Sequence, residues 1–298
     1  MGSEMCIRDR LIDVCIVGSA NLDLVTTVDT LVRQGETILA TGYQEHPGGK
    51  GLNQAVACAR MGANTAFVGS VGTDGAGDVL MRVLLNEGIN TDGVKRIDEP
   101  AGRAFISVEK SGENNIIVVP GSNSKIEPDQ GAAQVAAAKV VLAQLEIPLD
   151  VVIRAFEIAR ASGGITVLNP APVRDLPDDL LALTDYVVPN EVEAGHIGGV
   201  ARCLSLGAKA VVTTLGSAGV RIESAAGTTT VGAVKVVPVD TTAAGDAFLG
   251  GFCSSLAAGA SLEEAVRIGA ATGALAVTKE GAVPSLPTRA GVLALLGQ

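Results

Sequence analysis

The sequence predicts an α/β protein: a parallel sheet covered on both faces by helices, with a small β appendage beside it. Three observations carry this prediction. Short apolar runs alternate with helix-length segments from residue 128 to residue 215, the pattern of strands joined by helical crossovers. Hydrophobic residues fill 47% of the 298 positions and aromatics only 2%, so a large core is available and must be built from Ala, Val, Leu and Ile. Two earlier stretches, by contrast, mix or alternate polar and β-branched residues, which suits a sheet exposed on one side.

Taken in order, residues 11–17 form a buried strand that runs into Gly18-Ser-Ala-Asn-Leu-Asp23. Residues 24–46 fit a small sheet outside the main body. An Ala-rich helix spans 52–61 and is stopped by Gly62. Residues 65–71 read as a strand and 78–86 as a helix, followed by Gly88. Alternating strands at 104–109 and 115–119 flank Ser111-Gly112, a hairpin signal. Then come helix 128–137, strand 139–145, helix 149–161 and strands 165–168, 185–188 and 210–215. A second hairpin turns near Gly227 and a strand ends at Val239. Two helices close the chain, the later one opening on the capping-box spacing Ser261-Leu-Glu-Glu264. No repeat or linker divides residues 11–298, which read as a single domain. Residues 1–10 lack apolar periodicity and resemble a translated adapter scar, so they are set aside as non-native.

Composition excludes several function classes. The formal net charge is −10 and no run of Lys or Arg occurs, which argues against a nucleic-acid partner. Two histidines, His46 and His196, are too few for a His-rich metal site. Five widely spaced cysteines without a Cys-x-x-Cys fit reduced thiols, and no apolar run is long enough to cross a membrane. A soluble cytoplasmic protein is expected.

The segment that carries chemistry is Asp240-Thr-Thr-Ala-Ala-Gly-Asp-Ala-Phe-Leu-Gly-Gly-Phe252. A helix starting near Ala243 offers N–H groups without intrahelical partners and the positive end of its dipole, which suits an anion. Ala243, Ala244 and Gly245 have almost no side chain, so a phosphoryl group can approach the backbone. Asp246 in the first turn can take a proton from a hydroxyl while charge builds on those N–H groups. The bland alternative is an Asp that only complements the dipole. A second feature, Pro47-Gly-Gly-Lys-Gly-Leu-Asn-Gln54, is not a Walker A loop, since Gly51 stands where Ser or Thr is needed. It can fold around a small polar ligand with Lys50 and Asn53 bonding to it, or be an ordinary glycine-rich turn. Asn21 and Asp23, Glu146, and Asn190 with Glu193 each follow a strand, where such sheets bind ligands. An Asx turn would also explain the first pair.

These residues resemble the PfkB carbohydrate kinases, and within them the ribokinase branch. The resemblance rests on Gly48-Gly-Lys-Gly-Leu-Asn-Gln-Ala55 and on the 240–252 segment, with Gln144-Leu-Glu-Ile-Pro148, Leu168-Asn-Pro-Ala-Pro172, Pro189-Asn-Glu-Val-Glu193 and Thr214-Leu-Gly-Ser217 between them. It implies a doubly wound, mostly parallel sheet with a β lid from about 22–46 and 103–120 that also joins a homodimer. It implies ATP-dependent phosphorylation of D-ribose at O5, with Asp246 as base and the N–H groups from Ala243 to Gly245 as anion hole. Ribose would be held by Asn21, Asp23, Gly49, Lys50, Asn53 and Glu146. Thr214, Gly216, Ser217 and Gly245 would lie along ATP, with Asn190 near its phosphates and Glu193 acting indirectly on Mg²⁺. A monovalent cation, K⁺, would be bound by Asp240, Thr242, Ala276, Gly281 and Ser285, largely through backbone oxygens.

Two departures from the family pattern stand out. The chain is short between Glu193 and Ala210, lacking a loop and part of a helix next to the nucleotide site. Ala270 replaces a His found near the adenine in ribokinases. The alternatives are therefore a kinase of fructose, deoxyribose or a nucleoside, and a sugar-binding homologue with impaired catalysis.

Overall fold

The computed structural model describes residues 11–298, so the reading of residues 1–10 lies outside the described residues. The chain enters as β1 (Ile12–Val17), moves to a small sheet as β2 (Asn21–Val28) and β3 (Gly42–Gly48), and returns through α1 (Lys50–Arg60) to β4 (Thr65–Gly72). Helix α2 (Gly75–Asn86) and β5 (Asn90–Ile97) extend that side, and β6 (Gly102–Glu109) with β7 (Asn114–Val119) rejoin the small sheet. The second half runs α3 (Ala132–Ala137), β8 (Ala138–Ala143), α4 (Leu149–Ala161), β9 (Ile165–Leu168), α5 (Asp178–Ala182) and β10 (Tyr186–Val187). It continues as α6 (Glu191–His196), α7 (Gly199–Ser205), β11 (Ala210–Thr214), β12 (Val220–Ser224) and β13 (Gly227–Val231). Helices α8 (Ala244–Ala257), α9 (Leu262–Ala276) and α10 (Arg289–Leu295) follow.

The large sheet has nine strands in the order β13-β12-β11-β10-β9-β8-β1-β4-β5. All neighbours pair in parallel except β11–β12 and β12–β13. Period-two alternation in β1 splits the core: Val14 and Ile16 face one apolar cluster with Leu52, Phe67 and Phe252, while Cys15 and Val17 face the other with Val141 and Phe156. Burial on both faces is why these strands read as continuous apolar runs. The connection order reverses at β1 and β8, which lie side by side with Val14 opposite Val140. Loops leaving the carboxyl ends of those two strands diverge there and open a crevice.

The small sheet, ordered β3-β2-β6-β7, stands beside that crevice and forms the lid-like region. Its outer strand β7 is exposed along its whole length, including Ile116, Ile117, Val118 and Val119.

Several elements differ from expectation. The strand β5 and the short helices α5, α6, α7 and α10 have no counterpart in the sequence reading. Helix α3 begins at Ala132 because Gly131 is left-handed, and α2 begins earlier, at Gly75, because Asp74 caps it through Gly77 N. The strand expected to end at Val239 is absent: residues 232–239 join no ladder, and Val239 N donates instead to Val277 O at the end of α9. The short stretch after Glu193 is closed by α6 and α7, which meet at Gly198 and Gly199, both left-handed. Arg202 secures α7 by donating to Ile197 O and Leu176 O and pairing with Asp178.

Candidate active site

Glycines bring the first turn of α1 against the β1–β2 loop. A Cβ on Gly51 would stand 2.5 Å from Ser19 N, and one on Gly49, at φ 88°, 2.8 Å from Asn21 N. A side chain at either position would push the helix away from the loop. Asp23 leans over Gly48, where a Cβ would come 2.2 Å from its Oδ2. Asn21, Asp23, Lys50 and Asn53 are thereby gathered beside Glu146, which follows β8. The Glu146 carboxylate accepts from Ser19 Oγ at 2.5 Å and from Lys50 N at 3.1 Å. The Asn21 Oδ1 accepts from Asn123 Nδ2 at 2.8 Å, and Asn123 is itself fixed by Ala20 N and Ala20 O. This leaves the Asn21 amide N–H groups to meet a ligand.

Asp246 lies in the first turn of α8, buried, opposite α1. Its Oδ2 accepts from Asn53 Nδ2 at 3.0 Å and its Oδ1 from Gln54 Nε2 at 2.8 Å. Burial raises the Asp246 pKa above the ordinary carboxylate value; Lys50 and the two amide donors oppose that rise, while Glu146 adds to it. Asp23 is pushed up to about 7, first by burial and then by the charges of Glu146 and Asp246. Lys50 lines a compartment of about 240 Å³ shared with Asn190, Glu193 and residues 243–246 at the helix terminus.

Helix α8 starts without a side-chain cap. Ala243 occupies the left-handed region at φ 58°, strain of about 1–2 kcal/mol for a residue with a Cβ. Ala244 N turns back to Thr241 O at 3.2 Å, while the N–H groups of Gly245 and Asp246 precede the first intrahelical bond; Gly245 lines two clefts and Asp246 the smaller of them. The larger cleft, about 760 Å³, is lined by Thr214, Gly216 and Ser217, by α9 residues including Ala270 and Ala274, by Val277 just after α9, and by Val234, Val236 and Pro238. Its mostly apolar walls suit a flat base, and Ala270 leaves room there.

Asn190 and Glu193 form a reciprocal cap at the start of α6, with Glu193 N donating to Asn190 Oδ1 and Asn190 N to Glu193 Oε2, both at 2.8 Å. One Glu193 oxygen is thus committed to structure and the other remains for a ligand. Burial raises Glu193 above the ordinary value, with Asn190 N and Lys50 opposing. Among the described residues no three His, Cys, Asp or Glu side chains converge as a metal cage. Asp240 joins two loops: its Oδ1 accepts from Thr242 N and Thr242 Oγ1, and its Oδ2 accepts from Gly281 N at 2.8 Å. Burial acts to raise Asp240, but those donors outweigh it and hold the carboxyl below its usual value. Ala276 ends α9 beside these loops, and buried Ser285 bonds Ala282 O. The oxygen-only donors of this junction fit a hard monovalent cation.

Every residue singled out from the sequence therefore falls into one of three adjoining places: the crevice, the α8 terminus with its clefts, or the loop junction. Sequence reasoning passed over Ser19, Asn123 and Asn169. Asn169 had a signal, since it follows β9 in the Leu168-Asn-Pro motif; Asn123 had none.

A buried carboxylate beside an open helix N-terminus, at the switch point of an α/β sheet with a β lid, defines a phosphotransferase with an alcohol group as acceptor. The chain belongs to the pfkB family of carbohydrate kinases, whose profile matches residues 11–289. It is 40% identical over 297 residues to a ribokinase of Haemophilus influenzae, covering 94% of this chain and 97% of that protein. The solved structure of a Thermotoga maritima ribokinase superposes with a TM-score of 0.90 at 36% identity, covering 97% of this chain and all of that one. Arabidopsis thaliana ribokinase complexed with ribose and ATP also gives 0.90, at 34% identity over 96% of this chain and 99% of the other.

Proposed function

We propose that the chain transfers the γ-phosphoryl group of ATP to O5 of D-ribose, giving D-ribose 5-phosphate and ADP. The observation that carries this reading is Asp246, a carboxylate bonded to sugar-side Asn53 yet one residue from the free N–H of Gly245. Asn21, Asp23, Asn53 and Glu146 offer donors and acceptors suited to a hydroxyl-rich pentose. Asp246 accepts the O5 proton as O5 bonds to phosphorus and the bond to the ADP oxygen breaks. Gly245 N and Asp246 N stabilise the negative charge on the moving phosphoryl oxygens. Lys50 lies between them and balances the charges of Asp246 and Glu193.

Mg²⁺, when bound with the nucleotide, neutralises phosphate charge; the free oxygen of Glu193 would hold it indirectly. K⁺ would sit at the junction of Asp240, Thr242, Ala276, Gly281 and Ser285 and steady the loop that feeds α8.

ADP release measured over a panel of pentoses, hexoses and nucleosides, with and without K⁺, tests the reading. D-ribose is expected to give the highest kcat/KM. Asp246→Asn is expected to lower kcat by about 10²-fold or more while ribose still binds; near-full turnover in that variant would remove Asp246 from the mechanism. The exposed apolar strand β7, together with Phe105, supports a homodimer formed through the lids. Ile117→Lys is expected to convert a dimer sedimenting in solution to a monomer.

A further inference from the structure

Gln54 is fully buried, yet its amide touches no backbone group: its recorded partners are the side chains of Asp246, Asn169 and Gln144. Their directions admit one orientation. Gln144 Nε2 donates to Gln54 Oε1, which turns the Gln54 amide nitrogen toward Asp246. That nitrogen has two hydrogens; one meets Asp246 Oδ1 at 2.8 Å and the other Asn169 Oδ1 at 3.2 Å. Asn169 is oriented in turn by donating from Nδ2 to Val188 O at 3.1 Å. Reversing the Gln54 amide would point its oxygen at the Asp246 carboxylate and the Asn169 oxygen and forfeit both of those bonds.

We propose that Gln54 is the positioning residue for the proton acceptor: it ties up Oδ1 of Asp246 and leaves Oδ2 as the atom that receives the proton. The inference rests on the reading of Asp246 as base. The two oxygens have different surroundings. Oδ1 faces Gln54, which has no exposed surface, so no substrate hydroxyl can approach Oδ1 past that amide. Oδ2 faces Asn53, a crevice residue that keeps some exposed surface where Gln54 has none. The acceptor hydroxyl loses its proton to Oδ2 as its oxygen bonds to phosphorus, and Gln54 exchanges no proton. By donating to the carboxylate, Gln54 also favours the charged form that a base needs, alongside Asn53 and Lys50 and against burial and Glu146. The other charged groups around Asp246 are Asp23 from β2 and Glu193 from α6.

The test compares native protein, Gln54→Leu, Gln54→Glu, Gln144→Leu and Asp246→Asn, with D-ribose and Mg-ATP as substrates across the pH range. Gln54→Leu is expected to lose about tenfold or more in kcat near neutrality. Its KM for ribose should stay within about threefold, since a group that acts only on the base leaves ground-state binding intact. The acid limb of its kcat profile should move to higher pH, because a donor to the charged form is gone. Gln54→Glu should move the limb further, as two adjacent carboxyls cannot both ionise, and Gln144→Leu should move it in the same direction by less. Carbon-13 carboxyl NMR of aspartate-labelled protein provides a readout independent of turnover. The resonance missing in Asp246→Asn should titrate at higher pH in Gln54→Leu than in the native chain.

An unchanged kcat, limb and titration in folded Gln54→Leu would overturn the inference. If that variant does not fold, an unaltered profile in Gln144→Leu does the same. Near-full activity of Asp246→Asn would instead overturn the reading of the base, which keeps the two failures distinct.

Discussion

A Cβ built on Gly245 meets no atom within 4 Å, although the residue sits in the first turn of α8. Protein packing therefore does not demand a glycine there; the space beyond it is the cleft. Gly245→Ala is expected to leave thermal stability unchanged or raise it by up to about 1 kcal/mol, since Ala favours helix. Its methyl group would intrude on the proposed phosphoryl position, so ADP release should fall by about 10²-fold. The pair of measurements, unfolding and turnover, separates the two roles. The polar residues of the crevice, such as Asp23, Glu146 and Asp246, were legible because motif and spacing marked them. Ser19 and Asn123 were not: Asn123 acts on Ala20 from 103 residues away, and only the folded chain reveals the contact.

At the scale of elements, the site depends on how closely α1 and α8 approach. A Cβ on Gly250 would come 2.3 Å from Ala57 Cβ and 2.8 Å from the Ala57 carbonyl carbon. Asn53 and Gln54 on α1 reach Asp246 on α8 across this contact. Gly250→Ala should destabilise by about 1–3 kcal/mol through overpacking, and it should lower kcat as well by widening the gap. Adding Ala57→Gly should recover part of both losses, which a double-mutant cycle would measure. Helix α1 and its stop at Gly62 were readable from Ala content and the glycine. Strand β5 was hidden because it opens with Asn90-Thr-Asp-Gly, residues that favour turns. The valines of 232–239 suggested a strand, but the segment joins no ladder: Val234 and Val236 line the cleft, while Val237 and Val239 are exposed. Gly291 inside α10 similarly weakened the helix signal of that short segment.

For the whole molecule, the α/β class followed from the alternation of apolar runs and helices, but strand order did not. Adjacency of β1 and β8 depends on which of several similar Val-rich runs pair, and nothing local distinguishes them. That adjacency is what draws Asp23, Glu146 and Asp246 into one crevice. There, burial and the charges of Glu146 and Asp246 favour a proton on Asp23. With Asp23 at about 7 when folded and about 3.9 when unfolded, stability present below the unfolded value is lost as pH rises through 7. Asp23→Asn should therefore melt higher than the native protein at pH 8, with little difference near pH 4. Under the proposed function, a sugar whose hydroxyls donate to that carboxylate would reverse the balance and expel the proton into solvent. Titration calorimetry of ribose near neutrality should then give heats that track the ionisation enthalpy of the buffer, and Asp23→Asn should abolish that dependence.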